Sequence, residues 1–152
     1  MDNKEFRKLF GITAKYNGFE SAFGGWFRES MECIIVLSLQ KSNLGDYFDL
    51  NIKIFIKGIF GYSYVINKDL IKNDTGDVFR RQPQEYSEVF NLDARMDEAE
   101  RKNKLEILFG KFINPFTDKS LLISGILEQA EMSEVALLPA VKAALSISKL
   151  SQ

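Results

Sequence analysis

Residues 48–56 read FDLNIKIFI, and this stretch decides the fold. Apolar and polar side chains alternate along it, with Phe55 as the exception on the polar side. Because successive side chains of a strand point to opposite faces of a sheet, the alternation predicts a β-strand with one buried face. The apolar face would hold Phe48, Leu50, Ile52, Ile54 and Ile56, and the polar face Asp49, Asn51, Lys53 and Lys57.

The residues before this strand predict its neighbours. The β-branched run Cys33 to Gln40 indicates a second strand, and the alternation from Phe23 to Arg28 indicates the other arm of a hairpin. Further upstream, Asp2 and Glu5 have the spacing of a capping box, and apolar residues follow at helical spacing until Asn17-Gly18. We therefore expect an N-terminal helix followed by strands.

The stretch after residue 56 contains several predicted turns. Asn67 to Asp77 is polar and turn-rich, so we expect a loop or a short helix there. Two short strands are predicted next, at Val78 to Gln82 and at Tyr86 to Asn91.

Strong helix formers dominate the rest of the chain. Asp93 is a candidate cap for a helix that Asn114-Pro115 would stop, and Thr117 or Asp118 would start the next one. A last helix is predicted from Pro139. Strands thus precede a separate run of helices, which favours one α+β domain over residues 1–152. We expect an antiparallel sheet of about five strands, an N-terminal helix and a C-terminal helical group.

Composition excludes several kinds of chemistry. The chain of 152 residues has no histidine, so histidine bases, histidine metal ligands and Ser-His-Asp triads are impossible. The single Cys33 lies in an apolar run and indicates a buried thiol in a reducing compartment. The net charge of −1 and the lack of a signal-like N-terminus lead us to expect a cytoplasmic protein without membrane attachment.

The short sequence motifs do not indicate a metal-binding or phosphate-binding site. Asp97-Glu98-Ala99-Glu100 spreads around a helix, and Asp74-Thr75-Gly76-Asp77 lacks the later glutamate of a calcium loop. The glycines do not have the spacing of a phosphate loop. We therefore expect no metal, no cofactor and no identified catalytic residue.

The polar face of the sheet is the strongest candidate for binding. Amide, guanidinium and indole groups on neighbouring strands recognise ligands, and without a tuned acid or base they favour binding over catalysis. Two adjacent arginines could add bidentate contacts to an anion. The candidate binding residues are Trp26, Arg28, Gln40, Lys41, Ser42, Asn51, Arg80 and Arg81. A second interpretation is that these groups satisfy one another or face water.

Several of these residues also carry a resemblance. The sequence resembles the bacterial domain of unknown function family 4304 over about residues 5 to 60, the N-terminal third to half. The similar positions are Gly18-Phe19, Trp26, Arg28, Leu39-Gln40-Lys41-Ser42, Phe48 and Leu50-Asn51. The resemblance implies a small bacterial α+β protein and no particular reaction.

Three functional hypotheses follow. The first is a non-catalytic intracellular interaction domain, immunity-like or regulatory, that binds a protein partner through the sheet face or an edge strand. The second is a small-molecule-binding protein, or an enzyme without histidine, with a pocket on the polar sheet face. A nucleic-acid binder using Arg80, Arg81, Arg101, Lys102 and Lys104 is the least favoured, because the charge is balanced. Monomer and homodimer both remain open.

Overall fold

The computed structural model describes residues 1–150, and the side chains of residues 1–146. It confirms an α+β fold with a five-stranded antiparallel sheet in the order β1-β2-β3-β4-β5. The strands are β1 (Glu20–Ala22), β2 (Gly25–Glu29), β3 (Cys33–Lys41), β4 (Phe48–Ile56) and β5 (Val78–Arg81). Each strand therefore pairs with its neighbours in the chain, as expected for short connections.

One helix precedes the sheet and a helical group follows it. The helices are α1 (Asn3–Tyr16), α2 (Lys68–Lys72), α3 (Glu98–Leu108), α4 (Asn114–Ser120), α5 (Ile123–Glu131) and α6 (Pro139–Leu150). The predicted cap of α1 is confirmed, because the Glu5 backbone N–H donates to Asp2 Oδ1 over 2.7 Å. α6 buries Val141 and Leu145 in the chain's own main core.

The two central strands are buried on both faces. Cys33, Ile35 and Leu37 of β3 join the main core with the apolar face of β4, against α1 and the C-terminal helices. Ile34 and Val36 point the other way and pack with Phe55 and α2 in a second, smaller core. We call this side, on which Asn51 lies, the second face of the sheet. Phe55 interrupts the sequence alternation because the second face is itself partly apolar.

The strand predicted at Tyr86 to Asn91 is wrong. Residues Gln84–Phe90 form a 3-10 helix that begins directly after Pro83. The buried Arg101 guanidinium donates to the carbonyl oxygens of Val89 and Asn91, at 2.6 and 3.1 Å. Arg101 therefore satisfies these carbonyls, and the segment pairs with the sheet only through a single β-bridge between Asn91 and Tyr47 instead of forming a sixth strand.

The predicted stop at Asn114-Pro115 is also wrong. A π-helical turn, Phe109–Ile113, connects α3 to α4 and places Pro115 in the first turn of α4. The helical backbone continues through this junction, and the wider π turn, in which the Asn114 N–H donates to the Phe109 carbonyl oxygen, accommodates the proline that follows.

The helix starts predicted at Asp93 and at Thr117 or Asp118 are wrong for a local reason. Asp97, not Asp93, caps α3 by accepting from the Glu100 N–H. Thr117 lies inside α4, where its hydroxyl donates to the Ile113 carbonyl oxygen over 2.8 Å, and α5 begins only at Ile123. A capping residue type inside a helix can bond to the preceding turn instead, and sequence alone does not separate the two uses.

Two helical glycines make a matched test of this packing. A Cβ at Gly125 would overlap the Lys119 carbonyl of α4, whereas a Cβ at Gly110 would meet nothing within 4 Å. We expect Gly125→Ala to lower the free energy of unfolding by about 3 kcal/mol. Gly110→Ala should raise it by about 0.5–1 kcal/mol, since alanine favours helix. Urea unfolding measures both, and equal effects at the two positions would contradict the α4–α5 contact.

Candidate functional site

The second face of the sheet is only half covered. Leu70 and Ile71 of the short helix α2 pack on Ile34, Val36 and Phe55, at one end of the central strands. Towards the other end of β3, Ser38 is half-buried and Gln40 is exposed. The uncovered part of the face is therefore polar and reachable.

An open cleft lies at this uncovered end. Its volume is about 500 Å³, and we call it the amide cleft. It is lined by Arg7, Gly24, Ser38, Leu39, Gln40, Asn51 and Lys72. These residues come from α1, the β1–β2 turn, β3, β4 and α2, so elements from across the N-terminal half of the chain assemble it.

Gln40 and Asn51, which line the cleft, form one hydrogen-bonded network with Arg81 of β5 behind them. Asn51 Nδ2 donates to Gln40 Oε1 over 3.0 Å. Arg81 Nε donates to Asn51 Oδ1 over 3.2 Å, and its Nη2 reaches Gln40 Oε1 at 3.4 Å. Both amide oxygens are thus engaged and both amides are held in a fixed orientation. The described residues offer Gln40 Nε2 no acceptor, so this group is available as a donor.

Two cations stand at the rim. Arg7 Nη2 donates to the Leu39 carbonyl oxygen over 3.3 Å, and its guanidinium lies over the Phe48 ring. Burial lowers the pKa of Arg7, which nevertheless remains charged at neutral pH. Lys72 is exposed and lies close to the backbone of Gly24 across the opening. A guanidinium, an ammonium and oriented amides together suit an anionic group.

The eight candidates do not all share this face: Lys41, which pairs with Phe48, and three further residues lie on the main-core face. Trp26 pairs with Leu37 and Arg28 with Ile35, which puts both on the main-core face. Arg80 pairs with Ile52 on that same face. Because neighbouring residues alternate, Arg80 and Arg81 point to opposite sides of the sheet.

These three residues have structural contacts instead. The Trp26 side chain is buried, with its ring 4.9 Å from the Phe10 ring. Arg28 pairs with Asp118 at 2.6 Å. The Arg80 guanidinium lies over the rings of Phe112 and Phe116. They join the sheet to the helices and are not available on the second face.

Lys41 and Ser42 shape the β3–β4 connection. Lys41 Nζ donates to the Gly45 carbonyl oxygen over 2.8 Å and pairs with Asp46 at 3.1 Å. Ser42 Oγ accepts from the Leu44 N–H. The amide cleft therefore retains Gln40, Asn51 and the supporting Arg81 from the sequence-based set. It adds Arg7 and Lys72, which sequence reasoning missed because nothing local connects helix residues to a distant strand.

Buried titratable groups elsewhere are structural. Burial raises the pKa of Cys33 to about 12, so the thiol is inert at neutral pH. Asp77 accepts hydrogen bonds from the Ile56 N–H at 2.8 Å and from the Tyr64 hydroxyl at 2.9 Å. The second bond holds the Tyr64 ring in contact with the Phe55 ring. Burial is the main cause that raises the pKa of Asp77 and of Tyr64.

Among the residues that the structure describes, no group of three or more His, Cys, Asp or Glu is placed to hold a metal ion. Within the same residues, no helix is both long enough and apolar enough to cross a membrane.

The fold defines the class as a small α+β domain with a meandering antiparallel sheet between two unequal layers. The chain belongs to the family described as a domain of unknown function, DUF4304, whose model matches residues 10–119. This match confirms the resemblance and extends it beyond the N-terminal half, through β5 and α3 into α4. No curated protein and no solved structure matches the chain.

The burial of Asp77 predicts a pH effect. Its pKa is higher in the folded than in the unfolded chain, so the folded state binds this proton more tightly. The contribution of Asp77 to stability is therefore full below its ordinary pKa of 3.8 and is lost as pH rises through the raised folded value. In Asp77→Asn that decline should disappear. Denaturant unfolding followed across this pH range measures it, and an unchanged pH profile would contradict the burial of this carboxyl group.

Proposed function

We propose that this protein is a non-catalytic binding domain that recognises an anionic group of a protein partner in the amide cleft. The observation that carries the proposal is the cleft's composition. Two cations, Arg7 and Lys72, and the oriented amides of Gln40 and Asn51 line it together with a serine hydroxyl. These groups donate hydrogen bonds to an anion and hold it in place.

The same groups are poor catalysts. A general acid or base needs a pKa near the working pH and a position within hydrogen-bond reach of the reacting atom. The described lining of the cleft contains no carboxylate, cysteine or tyrosine, and the chain has no histidine. Binding therefore suits the cleft better than proton transfer does.

A cytoplasmic location and a bacterial source belong to the same proposal. The chain has no intrachain disulfide, and its single cysteine is free and buried, which suits a reducing compartment. The resemblance to the bacterial family supports the source. An immunity-like or regulatory role fits a small domain that acts by binding to a protein partner and not by catalysing a reaction.

A small-molecule ligand is the second candidate. A volume of about 500 Å³ falls within the range of small-molecule sites. The opening to solvent and the polar floor favour a group presented by a larger partner, since tight small-molecule sites enclose most of their ligand.

The test is a titration with two simple anions, glutarate and inorganic phosphate, followed by NMR. We expect the side-chain amide resonances of Gln40 and Asn51 to shift on addition of glutarate. Lys72→Glu should weaken the interaction about tenfold, because an attractive charge is replaced by a repulsive one. The control is Lys102→Glu, an exposed lysine of α3 that makes the same change in net charge.

The outcomes separate the candidates. The anion site is supported if the shifts are confined to the two amides and only Lys72→Glu weakens the binding of glutarate. Saturation by a free small anion at micromolar concentration would favour the small-molecule ligand. Amide resonances that do not move, or that respond equally in both variants, would contradict the proposal.

A further inference from the structure

A second groove continues from the amide cleft. It lies between α1 and the β1–β2 hairpin, has a volume of about 500 Å³, and is called here the α1 groove. Arg7 and Gly24 line both cavities, so the two openings adjoin. Lys8 and Lys15 of α1 line the groove wall, and both are exposed.

The charged side chains of this combined surface are all positive. The described residues that line the two cavities include four cations, namely Arg7, Lys8, Lys15 and Lys72, and no carboxylate. The whole chain, by contrast, has 21 acidic and 20 basic residues. The cations are therefore concentrated at these openings, although the net charge provides no long-range field.

We propose that the α1 groove and the amide cleft together bind an extended acidic segment of a protein partner. This inference rests on the proposed function and names the chemistry of the partner. Arg7 and Lys15 are eight positions apart in α1, which corresponds to about 12 Å along the helix. An extended peptide covers this distance with about four residues. Its carboxylates would meet Lys8 and Lys15, and one end would reach the cleft.

The groove suits a peptide better than a nucleic acid. Single-stranded nucleic acids are bound largely by stacking bases on exposed aromatic rings. Trp26 is the aromatic residue in the described lining of the groove, and its indole is covered by α1. A Cβ on Gly11 would be only 3.1 Å from the indole Nε1, which shows how closely the helix backbone approaches the ring. The indole is therefore not available for a base to stack on.

The test measures binding of a short fluorescein-labelled oligo-glutamate peptide by fluorescence anisotropy at low salt. An oligo-glutamine peptide of the same length reports binding that does not depend on charge. The variant is Lys8→Glu/Lys15→Glu, and its control is Lys102→Glu/Lys119→Glu. All four lysines are exposed, and the two double variants change the net charge equally. A labelled oligothymidylate serves as the nucleic-acid competitor.

We expect oligo-glutamate to bind the unmodified chain and oligo-glutamine not to bind. Lys8→Glu/Lys15→Glu should weaken oligo-glutamate binding at least about tenfold, while the control pair changes it less than about twofold. Absence of oligo-glutamate binding, equal weakening by both pairs, or tighter binding of oligothymidylate would each overturn the inference. Circular dichroism confirms that the variants fold.

Failure of this inference is distinguishable from failure of the proposed function. If glutarate shifts the Gln40 and Asn51 amides but oligo-glutamate does not bind, the anion site stands and the extended acidic partner is rejected. If the peptide binds and depends on Lys8 and Lys15 while the amides do not respond to glutarate, the groove stands and the amide cleft is rejected as the anion site.

Discussion

The rest of the structure depends on burial of the β3–β4 pair from both sides. Apolar side chains project from both faces of β3, so neither face can be left in water without a large loss of hydrophobic stabilisation. α1 and the C-terminal helices cover one face. The five-residue helix α2 covers only part of the other. The amide cleft lies where that second layer stops, so the site is a direct consequence of how the sheet is covered.

Much of this fold is predictable from local sequence, for identifiable reasons. The alternation in residues 48–56 matches β4 as observed, and the Asp2 cap places the start of α1. The wrong predictions fall where residues outside the segment decide its structure. Arg101 satisfies the carbonyls of a segment that resembles a strand, and a π-helical turn accommodates Pro115. Neither effect leaves a signal within the segment itself.

The site was predictable in part for the same reason. Gln40, Asn51 and Arg81 stand on adjacent strands, so strand alternation is sufficient to place them together. The prediction for Trp26 names the wrong face. Which residues of β2 point to each face is set by its pairing with β3, and the short sequence of β2 does not define that pairing. Arg7 and Lys72 belong to helices on opposite sides of the sheet, and only the three-dimensional fold brings them to one opening.

The central claim is that this opening is accessible and electropositive, and the rate of modification of a cysteine at Ser38 tests it most directly. Cys33 is buried and unreactive, so Ser38→Cys is the reporting thiol. We predict that this thiol reacts faster with an anionic than with a cationic thiosulfonate reagent. The reference is Asn103→Cys on the exposed side of α3, whose ratio of the two rates should be lower. Adding Lys72→Glu to Ser38→Cys should reverse the preference. A Ser38→Cys thiol that is unreactive, or that has the same preference as Asn103→Cys, would contradict the account.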